Sequence, residues 1–98
     1  MTKVSIQIAT GGPEAAILLK RASDVLVDHC ACEKIDEAHF TSMEITSLFQ
    51  ANLIIYELSE LCESCSGKTF FKYISIKGSN ISIVARNIYH GIEGCEVF

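Results

Sequence analysis

The chain has 98 residues, of which 49% are hydrophobic and 20% are charged. This length and composition predict one globular domain over residues 1–98 and exclude a disordered chain, which would have fewer apolar and more charged side chains. The formal net charge is −4 and the Lys and Arg residues are dispersed, so the dense basic surface of a nucleic-acid-binding protein is not expected.

Neither the N-terminus nor any internal run indicates export or membrane insertion. Residues 1–8 alternate polar and apolar side chains and lack the continuous apolar segment of a signal peptide. No run approaches the roughly 18 apolar residues of a transmembrane helix. Five cysteines, an odd number, then indicate reduced thiols. The prediction is a cytoplasmic protein with no membrane partner and no cofactor.

The first two predicted elements are a strand and a helix. Residues 3–9 alternate apolar and polar side chains, which is the pattern of a strand with one buried face. Residues 10–14 end this strand, and Pro13 suits the first position of a helix because its missing N–H costs nothing there. Apolar residues then recur at helical spacing to about Cys30, which predicts an amphipathic helix.

A long helix over residues 41–65 is the predicted centre of the fold. Thr41 and Glu44 have the spacing of a capping box, in which each side chain binds an amide of the first turn. Residues 66–67 contain a glycine that can end the helix. Residues 31–40, which precede it, contain neither Gly nor Pro. They are expected to form a connection, with a helical turn as one conformation.

The last third of the chain predicts a hairpin. β-forming side chains lie on both sides of Gly78 and Ser79, a pair that suits a two-residue type II′ turn. With Lys77 opposite Asn80, the isoleucines of the two strands would face one another in the core. Residues 96–98 could add a short edge strand. The predicted fold class is α+β, a β-α-α-β-β two-layer sandwich in which a small, mainly antiparallel sheet has two helices packed on one face.

The long helix also carries the favoured functional prediction. It is apolar on more of its circumference than one sheet would cover, and Phe49, Leu53 and Tyr56 form the surplus stripe. Glu57 and Glu60 border this stripe, as polar residues border the apolar centre of an interface. The prediction is a small protein-interaction module that self-associates and binds or inhibits a partner protein. A non-enzymatic function is favoured because no motif gathers catalytic groups.

A small-ligand or anion-binding regulatory domain is the alternative. Gly11 and Gly12 follow a predicted strand and open a predicted helix, which is where free backbone amides hold anions. The segment matches neither the dinucleotide-binding fingerprint nor the P-loop. The alternative site therefore rests on its position in the chain.

A structural zinc module is the third possibility. Cys30 with Cys32, and Cys62 with Cys65, could together supply four thiolates. Both pairs lie at predicted helix ends without the glycine-containing turns of zinc knuckles, and buried cysteines commonly act as small apolar residues. A redox role for the second pair is disfavoured, because a helix C-terminus and nearby glutamates raise a thiol pKa.

Overall fold

The computed structural model describes residues 3–89 and 96–97, and it shows an antiparallel sheet with two helices on one face. The predicted α+β two-layer class is confirmed. In chain order the elements are β1 Val4–Gly11, α1 Ala15–His29, β2 Glu33–Asp36, β3 His39–Ser42, α2 Leu48–Glu60 with a following 3₁₀ helix Leu61–Ser64, β4 Phe70–Lys77, β5 Ser82–Ile88 and β6 Glu96–Val97.

The topology explains why both helices cover the same face. The sheet order is β2-β3-β1-β4-β5-β6, so α1 links two strands separated by β3, and α2 links two strands separated by β1. Both units are split β-α-β crossovers. Because such crossovers share one handedness, they place their helices on the same side of the sheet.

The core lies between this face of the sheet and the helices. In β1 the predicted alternation is confirmed, since Val4, Ile6 and Ile8 are buried while Gln7 is exposed. The predicted first helix also forms, and its inward residues Leu18, Ala22 and Leu26 are buried. Further buried side chains come from β3, α2, β4 and β5, namely Phe40, Ala51, Ile55, Leu58, Phe71, Ile74, Ile76, Ile83, Ala85 and Ile88.

Residues 31–40, whose conformation the sequence left open, are largely part of a β-hairpin. β2 and β3 pair antiparallel, and Asp36 Oδ1 accepts a 2.9 Å hydrogen bond from the Ala38 amide in the turn. β3 also pairs with β1, which places Phe40 opposite Ile6. All four residues of β2 are exposed, so this edge strand lacks the apolar alternation by which strands are recognised.

The predicted long helix is too long at both ends. Thr41 and Ser42 belong to β3, where they pair with β1, so the predicted Thr41–Glu44 capping box does not form. A different capping box starts the helix: Ser47 Oγ accepts from the Gln50 amide at 3.2 Å, and the Gln50 side chain binds the Ser47 amide. The α-helix ends at Glu60 and continues as the 3₁₀ helix to Ser64.

The β4–β5 hairpin forms as predicted, but its register differs by two residues. Lys77 pairs with Ser82 rather than Asn80, so four residues form the loop, closed by a 2.7 Å hydrogen bond from the Gly78 amide to the Ile81 carbonyl. A shift of two preserves which side chains face the core. The isoleucines of both strands are therefore buried as predicted.

The predicted terminal edge strand is present over Glu96–Val97, where β6 pairs antiparallel with β5. Phe98, the third residue of that prediction, lies outside the described residues.

Candidate interaction surface

The two sides of α2 differ in exposure but not in apolar character. Ala51, Ile54, Ile55 and Leu58 face the core and are buried. On the opposite side, large apolar residues remain exposed to solvent. We call this outer side the α2 face, and it consists of Phe49, Leu53 and Tyr56, with Glu57 and Glu60 at its C-terminal end.

The surplus apolar stripe predicted on the long helix is exposed to solvent in the structure. Phe49 is 71% exposed, Leu53 51% and Tyr56 50%, so α1 does not bury them. A side chain that stays half or more exposed loses at least half of the stabilisation that burial would give, because apolar stabilisation scales with the area removed from water. Single exposed apolar residues are ordinary, but a contiguous group on one helix is typical of an interaction site.

The α2 face is also acidic. Glu57, Glu60 and Glu63 are exposed, and residues 48–64 contain no Lys or Arg. A hydrogen bond to Glu60, and the charge of that carboxylate, raise the pKa of the Tyr56 phenol. The carboxylate that raises this pKa lies one turn further along the helix.

A pocket of about 380 Å³ opens beside the α2 face, between the end of α1 and the first turns of α2. Its apolar walls are Ile45, Leu53 and Ile54, and Leu53 also belongs to the α2 face. The complete lining is His29, Cys30, Ala31, Glu44, Ile45, Gln50, Leu53, Ile54 and Glu57. We call this cavity the α2 pocket.

Sequence reasoning missed the α2 pocket because it assigned Glu44 and Ile45 to the first turn of a helix. In the structure these residues lie between β3 and α2. The Ser42 hydroxyl accepts a 3.0 Å hydrogen bond from the Glu44 amide, which turns the chain at the end of β3. The sequence contains a second capping-box motif, Ser47 with Gln50, which would have indicated the true start of α2.

Cys30 lies in the wall of the α2 pocket as a half-buried thiol. Burial raises its pKa to about 11, and the charges of Glu57 and Cys32 add to this effect. The thiol is therefore protonated at neutral pH and is a poor nucleophile.

This raised pKa gives a testable pH dependence for Cys30. The thiol pKa is raised from 9.0 to about 11 on folding, so its contribution to stability is complete below pH 9 and is lost as the pH rises through 11. We expect the alkylation rate at Cys30, followed by peptide mass spectrometry, to rise with a midpoint near pH 11 in the native protein and nearer 9 in urea. Coincident native and denatured curves would contradict this assignment.

The four predicted zinc ligands do not come together. Cys65 lies against Arg21, with its Sγ 3.5 Å from Nη1, whereas Cys30 follows the other end of α1. Nine residues of helix separate Arg21 from Cys30, or about 13 Å at 1.5 Å per residue. In the part of the chain that the structure describes, no group of three or more His, Cys, Asp or Glu side chains is arranged to hold a metal ion.

Cys62 instead packs in the core, 4% exposed. Its thiol donates a weak hydrogen bond to the Ile88 carbonyl, with Sγ 3.5 Å from the oxygen. Burial raises the pKa of this thiol to about 11. Its role is that of a small apolar residue, as expected for a buried free cysteine.

The chain before β4, residues 66–69, packs against the Gly11–Gly12 junction and the start of α1. Glu14, at the start of α1, donates its amide to Thr69 Oγ1 at 3.1 Å and accepts a short hydrogen bond from the Ser66 amide on its carboxylate. Gly12 packs against the backbone of Lys68, since a Cβ built there would lie 2.2 Å from the Lys68 carbonyl oxygen. The amide at the start of α1 is thus already bound by Thr69, and the Glu14 carboxylate binds the amide of Ser66, which disfavours the alternative site.

The histidines show no catalytic arrangement within residues 3–89. His39 on β3 shares a 2.7 Å hydrogen bond with the hydroxyl of Ser5 on the neighbouring strand, and His29 is exposed at the edge of the α2 pocket. His90 lies outside the described residues.

The helices of the described ranges are all too short or too polar to cross a membrane. No protein-family model matches the chain, and comparison with curated proteins and with solved structures gives no significant match.

Proposed function

We propose that this protein is a small protein-interaction module that binds through the α2 face and self-associates through it. The observation that carries the proposal is the exposure of three large apolar side chains on one side of α2, led by Phe49 at 71%. Tyr and Phe are enriched at the centres of interfaces, and a few such anchors supply most of the binding free energy.

The acidic end of the α2 face limits self-association. Two copies that meet through this face each bring Glu57 and Glu60 to the interface, so both surfaces are negatively charged, and α2 has no Lys or Arg to compensate. Like charges across an interface oppose binding, and salt screens them. Self-association is therefore expected to be weak at low ionic strength and stronger in salt.

Sedimentation velocity over a range of concentrations tests this proposal. The weight-average mass should rise with concentration, and more steeply at about 500 mM than at about 50 mM NaCl, where the Debye length is longer. Phe49→Ser should lower the association constant by about tenfold or more, because it removes a central aromatic anchor.

Ile17→Ser is the matched control, because Ile17 is an exposed apolar residue, at 44%, on α1 rather than α2. It should leave the association constant unchanged. A wild-type chain that remains monomeric at every concentration and salt level would overturn self-association. An Ile17→Ser variant that weakens association as much as Phe49→Ser would move the contact away from the α2 face.

A further inference from the structure

The α2 pocket combines apolar walls with an acidic mouth. Ile45 and Ile54 in its walls are 4% and 8% exposed, whereas Glu44 and Glu57 at its edge are exposed. The lining contains no Lys or Arg. Among residues 3–89, no Lys or Arg forms an ion pair with either glutamate. The lining of the pocket therefore combines apolar walls with two exposed carboxylates, neither of which is within ion-pair distance of a Lys or Arg of these residues.

This combination suits a long cationic side chain. Lys and Arg have aliphatic stems that pack on apolar surfaces while their charged ends stay near water or a carboxylate. An Arg guanidinium can also bind a carboxylate through two parallel hydrogen bonds. The volume of about 380 Å³ lies near the lower end of the range for small-ligand sites, about 300–1,000 Å³, and leaves room for one or two such side chains.

The pocket is continuous with the α2 face through Leu53, which borders both. A segment that covers Phe49 and Tyr56 with apolar side chains can therefore place a basic side chain over Glu44 and Glu57. Glu60, one turn further along α2, extends the acidic border in the same direction. Apolar anchors with interspersed basic residues are the pattern of a basic amphipathic segment.

We propose that the preferred partner of the α2 face is a basic amphipathic segment of another protein, which inserts a Lys or Arg side chain into the α2 pocket between Glu44 and Glu57. This inference rests on the proposed function, since it identifies what binds to the same face. It assigns to the face a partner of opposite charge, whereas a second copy of the chain offers an α2 face of the same charge.

The test is an NMR titration of the isotope-labelled full chain with two designed amphipathic peptides of equal length and equal apolar content. One peptide has Arg at its polar positions beside the apolar face, and the other has Glu there. The Arg peptide should shift the amide signals of Leu53, Glu57, Ile45 and Cys30, and its affinity should fall as salt is added. The Glu peptide should bind at least about tenfold more weakly.

Glu57→Gln keeps the shape of the side chain and removes its charge. It should lower the affinity for the Arg peptide about fivefold, which corresponds to the roughly 1 kcal/mol of one partly exposed ion pair. Adding Glu44→Gln should bring the loss to about 25-fold if the two sites act independently. Glu37→Gln, at an exposed carboxylate in the turn between β2 and β3 that does not line the pocket, is the matched control and should change little.

The same variant separates this inference from the proposed function. Glu57→Gln should strengthen self-association, because it removes like-charge repulsion. It should at the same time lower the affinity for the Arg peptide. Equal binding of the Arg and Glu peptides at the α2 face, both weakened by Phe49→Ser, would overturn the cationic partner and leave the interaction module intact. Arg-peptide binding that spares Leu53 and Glu57, together with a monomeric chain, would overturn both.

Discussion

Phe40→Ala should lower the free energy of unfolding by about 3–5 kcal/mol, the usual cost of truncating a buried phenylalanine. Phe40 is fully buried in β3 and lies opposite Ile6 of the central strand β1. Its removal leaves a cavity that the surrounding sheet cannot fill without moving two neighbouring strands. Because small domains have only about 5–15 kcal/mol of stability in total, the variant is expected to be at the edge of folding.

Urea denaturation followed by far-ultraviolet circular dichroism measures this loss. Ile35→Ala is the control from the same hairpin, because Ile35 is 53% exposed on β2, and it should change the stability by no more than about 0.5 kcal/mol. If the two variants lower the free energy of unfolding by the same amount, the β2–β3 hairpin does not contribute to the core as it does in the structure. A difference of several kcal/mol supports the hairpin at residues 33–42.

Gly12→Ala should destabilise the protein by about 3 kcal/mol or more, through two effects at one position. Gly12 has a φ of +96°, and a non-glycine residue held in such a conformation costs about 1–3 kcal/mol. An added Cβ would also lie 2.2 Å from the Lys68 carbonyl oxygen and 2.8 Å from the Thr69 Cα. Since both obstacles are backbone atoms, the β1–α1 junction and the chain before β4 have to separate.

Gly67→Ala is the matched control for this substitution. Gly67 lies just before the chain segment that contacts Gly12, but a Cβ there has no atom within 4 Å, so the change should cost about 0.5 kcal/mol or less. Thermal unfolding of both variants by calorimetry compares them directly. A Gly12→Ala variant as stable as Gly67→Ala would show that the close approach between Gly12 and Lys68 is not required for folding.

The elements that were predictable from the sequence have local signals. The alternation in β1 and the apolar spacing in α1 each report burial through residues that are neighbours on one element. The inward isoleucines of β4 and β5 were also predictable, because a register shift of two leaves every side chain on its face. The surplus apolar stripe of Phe49, Leu53 and Tyr56 was predictable in the same way, since a helix on one sheet buries one side only.

The features that local signals could not decide depend on pairing partners far along the chain. β2 is exposed on both faces and charged, so only its hydrogen bonds to β3 make it a strand. Two capping motifs compete before α2, at Thr41 and Ser47, and both satisfy the spacing rule. The first is lost because Thr41 pairs with Ser5 of β1, and a ladder of backbone hydrogen bonds outweighs one cap.

The candidate site divides in the same way. Sequence alone determined that α2 has more apolar surface than the sheet can cover and that glutamates border it, because both properties belong to one helix. The tertiary structure decided that no other element within residues 3–89 covers Phe49. It also created the pocket by bringing Cys30 from the end of α1 near Glu44 and Glu57. A cavity between two elements has no periodic signal in the chain, since its walls become neighbours only when the elements pack.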